Sequence, residues 1–166
     1  MSTLSEAQQM LFQEWKWEAN AAYTAEKERI SKMFQVSRII KLANDYSKYN
    51  SFWYVWYADF RGRLYTATSG FSPQGPDIGK GLIRFHRAKE LGTKEGIFWF
   101  IVNGANKYGY DKDTYDNRVK WVRDRHAVFI RAANDPLSHR DVWANADKPW
   151  QFLAWLFEYK AMFDMV

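Results

Sequence analysis

A long stretch without helix-breaking residues constrains the first third of this chain. Residues 5–49 contain neither Gly nor Pro and consist mostly of good helix formers. This composition predicts two helices or one bent helix. Residues that recur at three- and four-residue spacing predict the buried stripe of that helix, namely Ile30, Met33, Phe34, Ser37, Ile40 and Ala43.

The composition changes sharply at Asn50. Residues 52–57 are aromatic and β-branched, and residues 64–67 are similar, so we expect two short strands joined by a tight turn at Gly62. Residues 68–81 are rich in Gly and Pro, which predicts a long structured loop.

The second half of the chain has helical patterning. One helix is predicted to begin near Thr93 and to end at Gly104 or Gly109, and another to span about residues 114–134. A last helix, about residues 148–163, carries aromatic side chains around its whole circumference, so we expect protein to surround it. The predicted fold is mostly α with a small β element, of the α+β class.

Charge and aromatic content narrow the function classes. The 166 residues include 24 Lys and Arg against 19 Asp and Glu, together with 9 Trp, 10 Tyr and 12 Phe. Such a surface can stack on bases and neutralise phosphates, although a core filled with aromatic residues fits the same numbers. One side of the first helical stretch, either a phosphate-binding face or a solvated one, carries Lys27, Arg38, Lys41 and Lys48.

Several other classes are not expected. The chain has no Cys, which excludes disulfide scaffolds, Cys-ligated zinc and thiol catalysis. It lacks a secretory signal, and its longest apolar stretch is too short for a bilayer span of about 20 residues, so we expect a soluble, cytoplasmic protein without a membrane partner. Residues 75–81 lack P-loop spacing, the Asp residues at 111–116 lack the rest of a calcium loop, and the three His lack metal or triad spacing.

The segment DFRGRLY, residues 59–65, is a candidate phosphate-binding element. Gly62 allows a sharp turn that brings Arg61 and Arg63 close together, and each guanidinium can grip a phosphate with two hydrogen bonds. Asp59 can orient one guanidinium, and Tyr65 can lie against a sugar or a base. The alternative is a structural hairpin with an internal Asp–Arg salt bridge.

The same segment resembles the D-x-x-G-R element of the single-subunit, phage-type and mitochondrial-type DNA-directed RNA polymerases. The resemblance continues in the same order and at similar spacings over about residues 10–162, nearly the whole chain. The further strings that carry it are 71–77 (FSPQGPD), 80–82 (KGL), Gly96 with the aromatic residues after it, 104–106 (GAN), 111–112 (DK), 136–137 (PL), 152–154 (FLA) and 157–159 (FEY).

The resemblance implies a place within the larger enzyme. Residues 1–49 would be helices at the end of the thumb, and residues 50–166 the N-terminal part of the palm, ending before its first metal-binding motif. It implies that Arg61, Arg63 and Tyr65 contact the template and the RNA–DNA hybrid. Lys80 is a further candidate for contact with the nucleic-acid backbone, and Lys112 would lie near the triphosphate of the incoming nucleotide.

The chain also departs from the family pattern. Two aspartate motifs, of Asp-Gly and His-Asp type, hold Mg²⁺ in that family, and neither dipeptide occurs here. Two-metal nucleotidyl transfer needs both motifs, so we expect no catalytic or metal-binding residue in this chain and no polymerase activity of the chain alone.

The resemblance therefore indicates a fragment, or a separately encoded subunit, of a phage-type RNA polymerase. Its expected partners are the DNA template, the RNA–DNA hybrid, nucleoside triphosphates and a polypeptide with the remaining palm and fingers, in the cytoplasm of an infected host cell. One alternative is a stand-alone, non-catalytic nucleic-acid-binding or regulatory protein that keeps the polymerase fold. Another is a non-functional remnant.

Overall fold

The computed structural model describes residues 5–68 and 70–164. The chain divides into two compact units, Met1–Lys41 and Leu42–Val166. It is mostly helical with one small antiparallel sheet, which confirms the predicted α+β class. The elements in chain order are α1 (Glu6–Tyr46), β1 (Trp56–Ala58), β2 (Leu64–Thr66), α2 (Asp77–Leu82), α3 (Lys94–Tyr108), α4 (Tyr115–Asp124), α5 (His126–Asn134), α6 (Arg140–Ala144) and α7 (Pro149–Asp164).

The first helix is continuous over 41 residues, so the single-helix alternative is correct. The predicted burial of its stripe is wrong, because Ile30, Met33, Phe34 and Ile40 are all exposed. Within the described part of the first unit, residues 5–41, α1 is the only element and nothing there covers the stripe. Residue spacing identifies a face of a helix, but burial of that face needs a second element.

The predicted hairpin is present, but its first strand is shorter than expected. β1 pairs antiparallel with β2, with Tyr57 opposite Tyr65, and residues 52–55 are not in the strand. The Phe52 ring instead packs 4.9 Å from the Tyr46 ring and 6.0 Å from the Phe71 ring. A two-stranded ladder is only marginally stable, so packing these rings competes well with extending the strand.

The predicted loop at 68–81 is wrong at its end, because the short helix α2 begins at Asp77. The preceding loop is tightly folded. A Cβ atom at Gly75 would collide with the carbonyl oxygen of Gly70, so only glycine fits there. The loop therefore places α2 rather than leaving a flexible connection.

The predicted helix over 114–134 is two helices, α4 and α5. At Arg125 the backbone has φ −106° and ψ 8°, outside the helical region, and this residue separates them. Directly after the break, the imidazole Nδ1 of His126 lies 3.0 Å from the hydroxyl of Tyr159. By contrast, the predicted start of α3 near Thr93 is correct, and of the two predicted ends, Gly104 and Gly109, the second is correct. Its N-cap is Thr93, whose hydroxyl accepts from the Gly96 N–H, and its C-cap is Gly109 with φ +109°.

The core lies around α7. This helix packs against α2, α3, α5 and α6 and buries Phe152, Trp155, Leu156 and Tyr159. Protein therefore covers only one side of the helix, and the expectation that protein surrounds it is wrong for the other sides, where Trp150, Phe157 and Phe163 are exposed. Within the described ranges, none of the helices combines the length and the apolar character that crossing a membrane requires.

Candidate nucleic-acid interface

The turn between β1 and β2 has a defined geometry. The Asp59 N–H donates to the Arg63 carbonyl oxygen at 2.9 Å, and the Gly62 N–H donates to the Asp59 carbonyl oxygen at 3.0 Å. Gly62 has φ +75°, a left-handed conformation that suits glycine. A hairpin loop of this length typically closes through such a residue.

The Asp59 carboxylate holds the turn from inside. Its Oδ1 accepts from the backbone N–H of Arg61 at 2.8 Å and of Arg63 at 2.9 Å. The expectation that Asp59 orients a guanidinium is therefore wrong, and so is the alternative of an internal Asp–Arg salt bridge. Neither arginine forms an ion pair with any carboxylate of residues 5–68 and 70–164, so both charges remain available to a ligand.

Aromatic rings accompany the two exposed arginines. The Arg61 guanidinium carbon lies 5.0 Å from the centroid of the Phe60 ring, and 90% of Phe60 is exposed. On β2, Tyr65 is half-buried with its ring 5.9 Å from that of Tyr57. The Arg61 guanidinium beside the exposed Phe60 ring can combine phosphate binding with stacking on a base or sugar, and Arg63 supplies a second guanidinium.

Gln74 anchors the hairpin, and the sequence interpretation assigned it no role of its own. Its side-chain amide donates to the Leu64 carbonyl oxygen at 2.8 Å, and its Oε1 accepts from the Thr66 N–H at 2.9 Å. The side chain thus pairs with the outer edge of β2 as a neighbouring strand would. A signal for this role was available, because Gln74 lies between Pro73 and Gly75, in a segment too constrained to be an ordinary linker.

The loop that carries Lys112 is held by Arg118. The guanidinium of Arg118 donates to the side-chain oxygen of Asn106 at 2.8 Å and to the carbonyl oxygens of Asp111 at 2.8 Å and Asp113 at 2.9 Å. The sequence interpretation assigned Arg118 no role, so its bracing role was missed. Lys112 itself is exposed, with its ammonium 3.3 Å from the Asp111 carboxylate.

Asp113 secures the other side of the same loop. Its carboxylate accepts from the Asn117 amide at 2.8 Å, the Tyr110 hydroxyl at 2.7 Å and the Thr114 N–H at 2.7 Å. These hydrogen bonds, led by that from Asn117, hold the pKa of Asp113 below its usual value. The Asp113 contact in turn raises the pKa of Tyr110. The backbone around Lys112 is thus well defined, while its side chain is exposed and paired only with the neighbouring Asp111 carboxylate.

A cleft of about 950 Å³ lies among α2, α3 and α7. Its walls are largely apolar, and the cations Lys80, Arg84 and Lys107 line it. The Lys107 ammonium donates to the Gln151 side-chain oxygen at 3.2 Å, and burial lowers the pKa of Lys107. The hairpin arginines do not line this cleft, so Lys80 belongs to a different feature from Arg61 and Arg63.

Asp77 joins two walls of the cleft. Its carboxylate accepts from the Trp150 N–H at 2.7 Å and from the Gln151 side-chain amide at 3.0 Å, so it caps the first turn of α7 from another helix. A Cβ atom at Gly81 would lie 2.9 Å from the Trp150 carbonyl oxygen, which shows how closely α2 approaches α7.

The side chains do not form a metal centre. Among residues 5–68 and 70–164, no three His, Asp or Glu side chains are grouped so that they could hold a metal ion. The described residues therefore do not fit the Mg²⁺ site that the family resemblance implies.

Comparison with known proteins identifies related sequences. Residues 89–166 match the family described as DNA-dependent RNA polymerase. T7 RNA polymerase of Escherichia phage T7 is 37% identical over 145 residues, which cover 87% of this chain and 16% of the relative. The DNA-directed RNA polymerase of Pseudomonas phage phiKMV is 32% identical over 160 residues, covering 96% of this chain and 19% of the relative.

A plant mitochondrial enzyme is also similar. The mitochondrial DNA-directed RNA polymerase 1 of Arabidopsis thaliana is 30% identical over 145 residues, which cover 86% of this chain and 15% of the relative. The chain thus spans less than one fifth of the length of each of these three relatives.

Proposed function

Because the chain belongs to the family of single-subunit, phage-type DNA-directed RNA polymerases, we propose that it contributes template and RNA–DNA hybrid binding to DNA-templated RNA synthesis. The observation that carries this proposal is the exposed hairpin turn with Arg61 and Arg63. Their guanidinium groups have no carboxylate partner among the described residues, and each can donate two hydrogen bonds to a phosphate. Tyr65 on the adjoining strand offers a ring to a sugar or base.

The construction of the turn supports this role. Asp59 uses one carboxylate oxygen to hold the backbone of both arginines, and Gly62 supplies the left-handed conformation that closes the loop. The side chains thus extend from a preorganised backbone, which reduces the entropy lost when a ligand binds. Asp59 and Gly62 act as positioning residues and do not contact nucleic acid.

Two lysines complete the proposed contacts. Lys112 extends from a braced loop with an exposed ammonium group, which suits contact with the triphosphate of an incoming nucleotide. Lys80 is exposed on α2 beside the cleft and suits contact with a nucleic-acid backbone. Both act as point charges rather than as planar forks, so we expect them to add affinity more than orientation.

We assign residues 1–49 to the end of the thumb and residues 50–166 to the N-terminal part of the palm. The change from one long helix to irregular structure after Tyr46 supports a boundary in this region. Phage-type polymerases act inside the infected cell, so the cytoplasm of the host is the proposed location.

Nucleotidyl transfer needs Mg²⁺ held by two carboxylate motifs, so we propose that a second polypeptide with the remaining palm and fingers supplies them. The chain alone is then inactive. Trp150 and Phe157 on α7 are partly exposed and line the apolar cleft, which provides a surface for that polypeptide.

Co-expression tests this proposal. The chain and a polypeptide carrying the remaining palm and fingers should form a stoichiometric complex that makes RNA from a DNA template when Mg²⁺ is added. The chain alone, incubated with a primed template, nucleoside triphosphates and Mg²⁺, should give no extension. Robust extension by the rigorously purified chain would contradict the proposal.

A variant of the complex tests the nucleotide contact. Lys112→Ala should raise the KM for nucleoside triphosphates while leaving the affinity for template unchanged, because the lost charge faces the triphosphate alone. The matched control is Lys120→Ala, which removes an exposed charge from α4. An equal change in KM for the two variants would contradict the assignment of Lys112 to the nucleotide site.

One observation favours the rival function, a stand-alone nucleic-acid-binding or regulatory protein. The second unit has its own closed core, in which Phe152 and Leu156 are fully buried, and such a core can fold without a partner. A monomeric chain that binds an RNA–DNA hybrid and ignores the second polypeptide would favour this rival.

A further inference from the structure

The loop between α3 and α4 carries Lys112 and lacks backbone pairing at its centre. At its start, the N–H groups of Gly109 and Tyr110 donate to the Ala105 carbonyl oxygen at 3.1 Å and 2.9 Å. In the part of the chain that the structure describes, residues 111–113 make no hydrogen bond between backbone groups. The position of Lys112 therefore depends on side chains that hold the loop.

Arg118 on α4 holds the carbonyl groups of the residues on either side of Lys112. The Nη2 group of its guanidinium donates to the Asp111 carbonyl oxygen at 2.8 Å, and the Nε group donates to that of Asp113 at 2.9 Å. The remaining nitrogen, Nη1, donates to the Asn106 side-chain oxygen at 2.8 Å and so ties the loop to α3. We call these three hydrogen bonds the Arg118 clamp.

The Arg118 side chain is not placed to contact a ligand itself. It is half-buried, and each of its nitrogen atoms already donates to a protein oxygen. Its guanidinium carbon also lies 4.9 Å from the centroid of the Tyr115 ring. Within residues 5–68 and 70–164 it forms no ion pair with a carboxylate. The clamp therefore acts on the shape of the loop.

The clamp requires the planar fork of an arginine. Arginine presents its donors in one plane on separate nitrogen atoms, whereas lysine has a single nitrogen at the end of a flexible chain. A lysine at position 118 would keep the positive charge but could not reach the three acceptors in this arrangement. The substitution of lysine for Arg118 thus separates the geometry of the clamp from its charge.

We propose that Arg118 is a positioning residue for the binding of nucleoside triphosphates and that it acts through Lys112. This inference rests on the proposed contact of Lys112 with the triphosphate. A loop that is ordered before the nucleotide arrives loses less entropy on binding. Loss of the clamp should weaken the nucleotide contact and leave the template contacts of the hairpin unchanged.

Steady-state kinetics of the complex with the second polypeptide test this role. Arg118→Lys should raise the KM for nucleoside triphosphates by about threefold to tenfold, because the nucleotide must then order the loop. The kcat at saturating nucleotide and the affinity for template should stay within about twofold of wild type. The matched control is Arg123→Lys, the same substitution at an exposed arginine of the same helix, and it should leave the KM unchanged.

A double variant tests whether Arg118 acts through Lys112. In Lys112→Ala no ammonium group remains to be positioned, so adding Arg118→Lys should raise the KM no further than about twofold. Effects that multiply in the double variant would show that Arg118 acts independently of Lys112 and would overturn the inference.

Asn106→Ala is a milder variant that keeps the test decisive if Arg118→Lys does not fold. It removes one of the three acceptors of the clamp and leaves both contacts with the loop backbone in place. The KM should rise in the same direction but by less than in Arg118→Lys. Urea unfolding of each variant chain shows whether it is folded, and an unchanged KM in a folded Asn106→Ala complex would overturn the inference.

The outcomes separate this inference from the proposed function. If Lys112→Ala raises the KM and Arg118→Lys does not, or if Arg123→Lys raises it equally, the inference alone is overturned. If the complex makes no RNA, or if Lys112→Ala leaves the KM unchanged, the proposed function is contradicted and the inference falls with it.

Discussion

The helical core between Lys94 and Asp164 and the hairpin between Trp56 and Thr66 are both rich in aromatic residues, but they use them differently. In the core the rings of Phe152, Trp155 and Tyr159 stack in sequence, with centroids 5.6 Å and 4.8 Å apart, and all three are buried. In the hairpin the rings of Trp56, Tyr57 and Phe60 are exposed. Aromatic content alone therefore does not separate residues that stabilise the fold from residues placed to meet a ligand.

The hydrogen bonds of the two regions differ in the same way. The Trp155 indole N–H donates to the Phe100 carbonyl oxygen at 2.9 Å across 55 positions of sequence, so it joins α7 to α3. In the hairpin turn, Asp59 bonds only to residues within four positions. We expect substitutions in the core to change the free energy of unfolding, and substitutions at the turn to change binding.

The largest expected effect is that of Trp155→Ala. Trp155 is 4% exposed, and its removal leaves a cavity and breaks the hydrogen bond from its indole to the Phe100 carbonyl oxygen. The free energy of unfolding, measured with urea, should fall by about 3–5 kcal/mol. Phe60→Ala is the matched control from the hairpin, and its effect should be within about 0.5 kcal/mol. Similar losses of unfolding free energy for the two variants would contradict the claim that core rings stabilise the fold and hairpin rings do not.

Replacing a glycine should destabilise both regions, but for a different physical reason in each. A Cβ atom at Gly104 would collide with the Trp155 ring, so Gly104→Ala should lower the free energy of unfolding by about 1–3 kcal/mol. At Gly62 there is open space but φ is +75°, so Gly62→Ala should cost about 1–2 kcal/mol through backbone strain.

Asparagine then distinguishes the two causes. It tolerates left-handed backbone, so Gly62→Asn should be milder than Gly62→Ala. It is larger than alanine, so Gly104→Asn should be more damaging than Gly104→Ala. Urea unfolding of the four variants measures both differences, and the same order at both sites would contradict the assignment.

A smaller effect is expected from Asp113, and it depends on pH. Its hydrogen bonds lower its pKa in the folded state, so the stabilisation is present above the unfolded pKa of about 4 and is lost as pH falls through the folded value. The difference in free energy of unfolding between wild type and Asp113→Asn should therefore shrink as pH falls below about 4. Asp116→Asn is the control, because that carboxylate makes none of the three contacts. A difference that is constant with pH would show that Asp113 acts only through packing.

Local signals predicted the elements that local contacts determine. The caps at Thr93 and Gly109, the turn at Gly62 and the extent of α7 follow from neighbouring residues, and all are present. The break at Arg125 and the shortened strand before Trp56 follow from distant contacts, which a single sequence does not reveal. The stripe on α1 was a helix face without a partner in its own unit.

The residues of the candidate site also fall into those that the sequence predicted and those that only the fold reveals. Arg61 and Arg63 were found because their charge and the adjoining glycine are visible in sequence. The roles of Asp77 and Gln74 depend on distant contacts. Asp77 bonds to Trp150, which is 73 positions away, and Gln74 bonds to Leu64, which is 10 positions away. Their motif strings carried a family resemblance, but only the fold explains why those residue types are needed.

The most direct test of the central claim is the salt dependence of nucleic-acid binding. The dissociation constant for a labelled RNA–DNA hybrid is measured by fluorescence anisotropy over a range of salt concentrations for wild type and the double variant Arg61→Ala/Arg63→Ala. The control is Arg131→Ala/Arg140→Ala, which removes two exposed arginines from α5 and α6.

The hairpin variant should flatten the log–log slope by about one to two units, roughly one for each lost phosphate contact, with unfolding unchanged within about 0.5 kcal/mol. The control should keep the wild-type slope. An unchanged slope in the hairpin variant, or an equal change in the control, would contradict the claim that this turn binds the phosphate backbone.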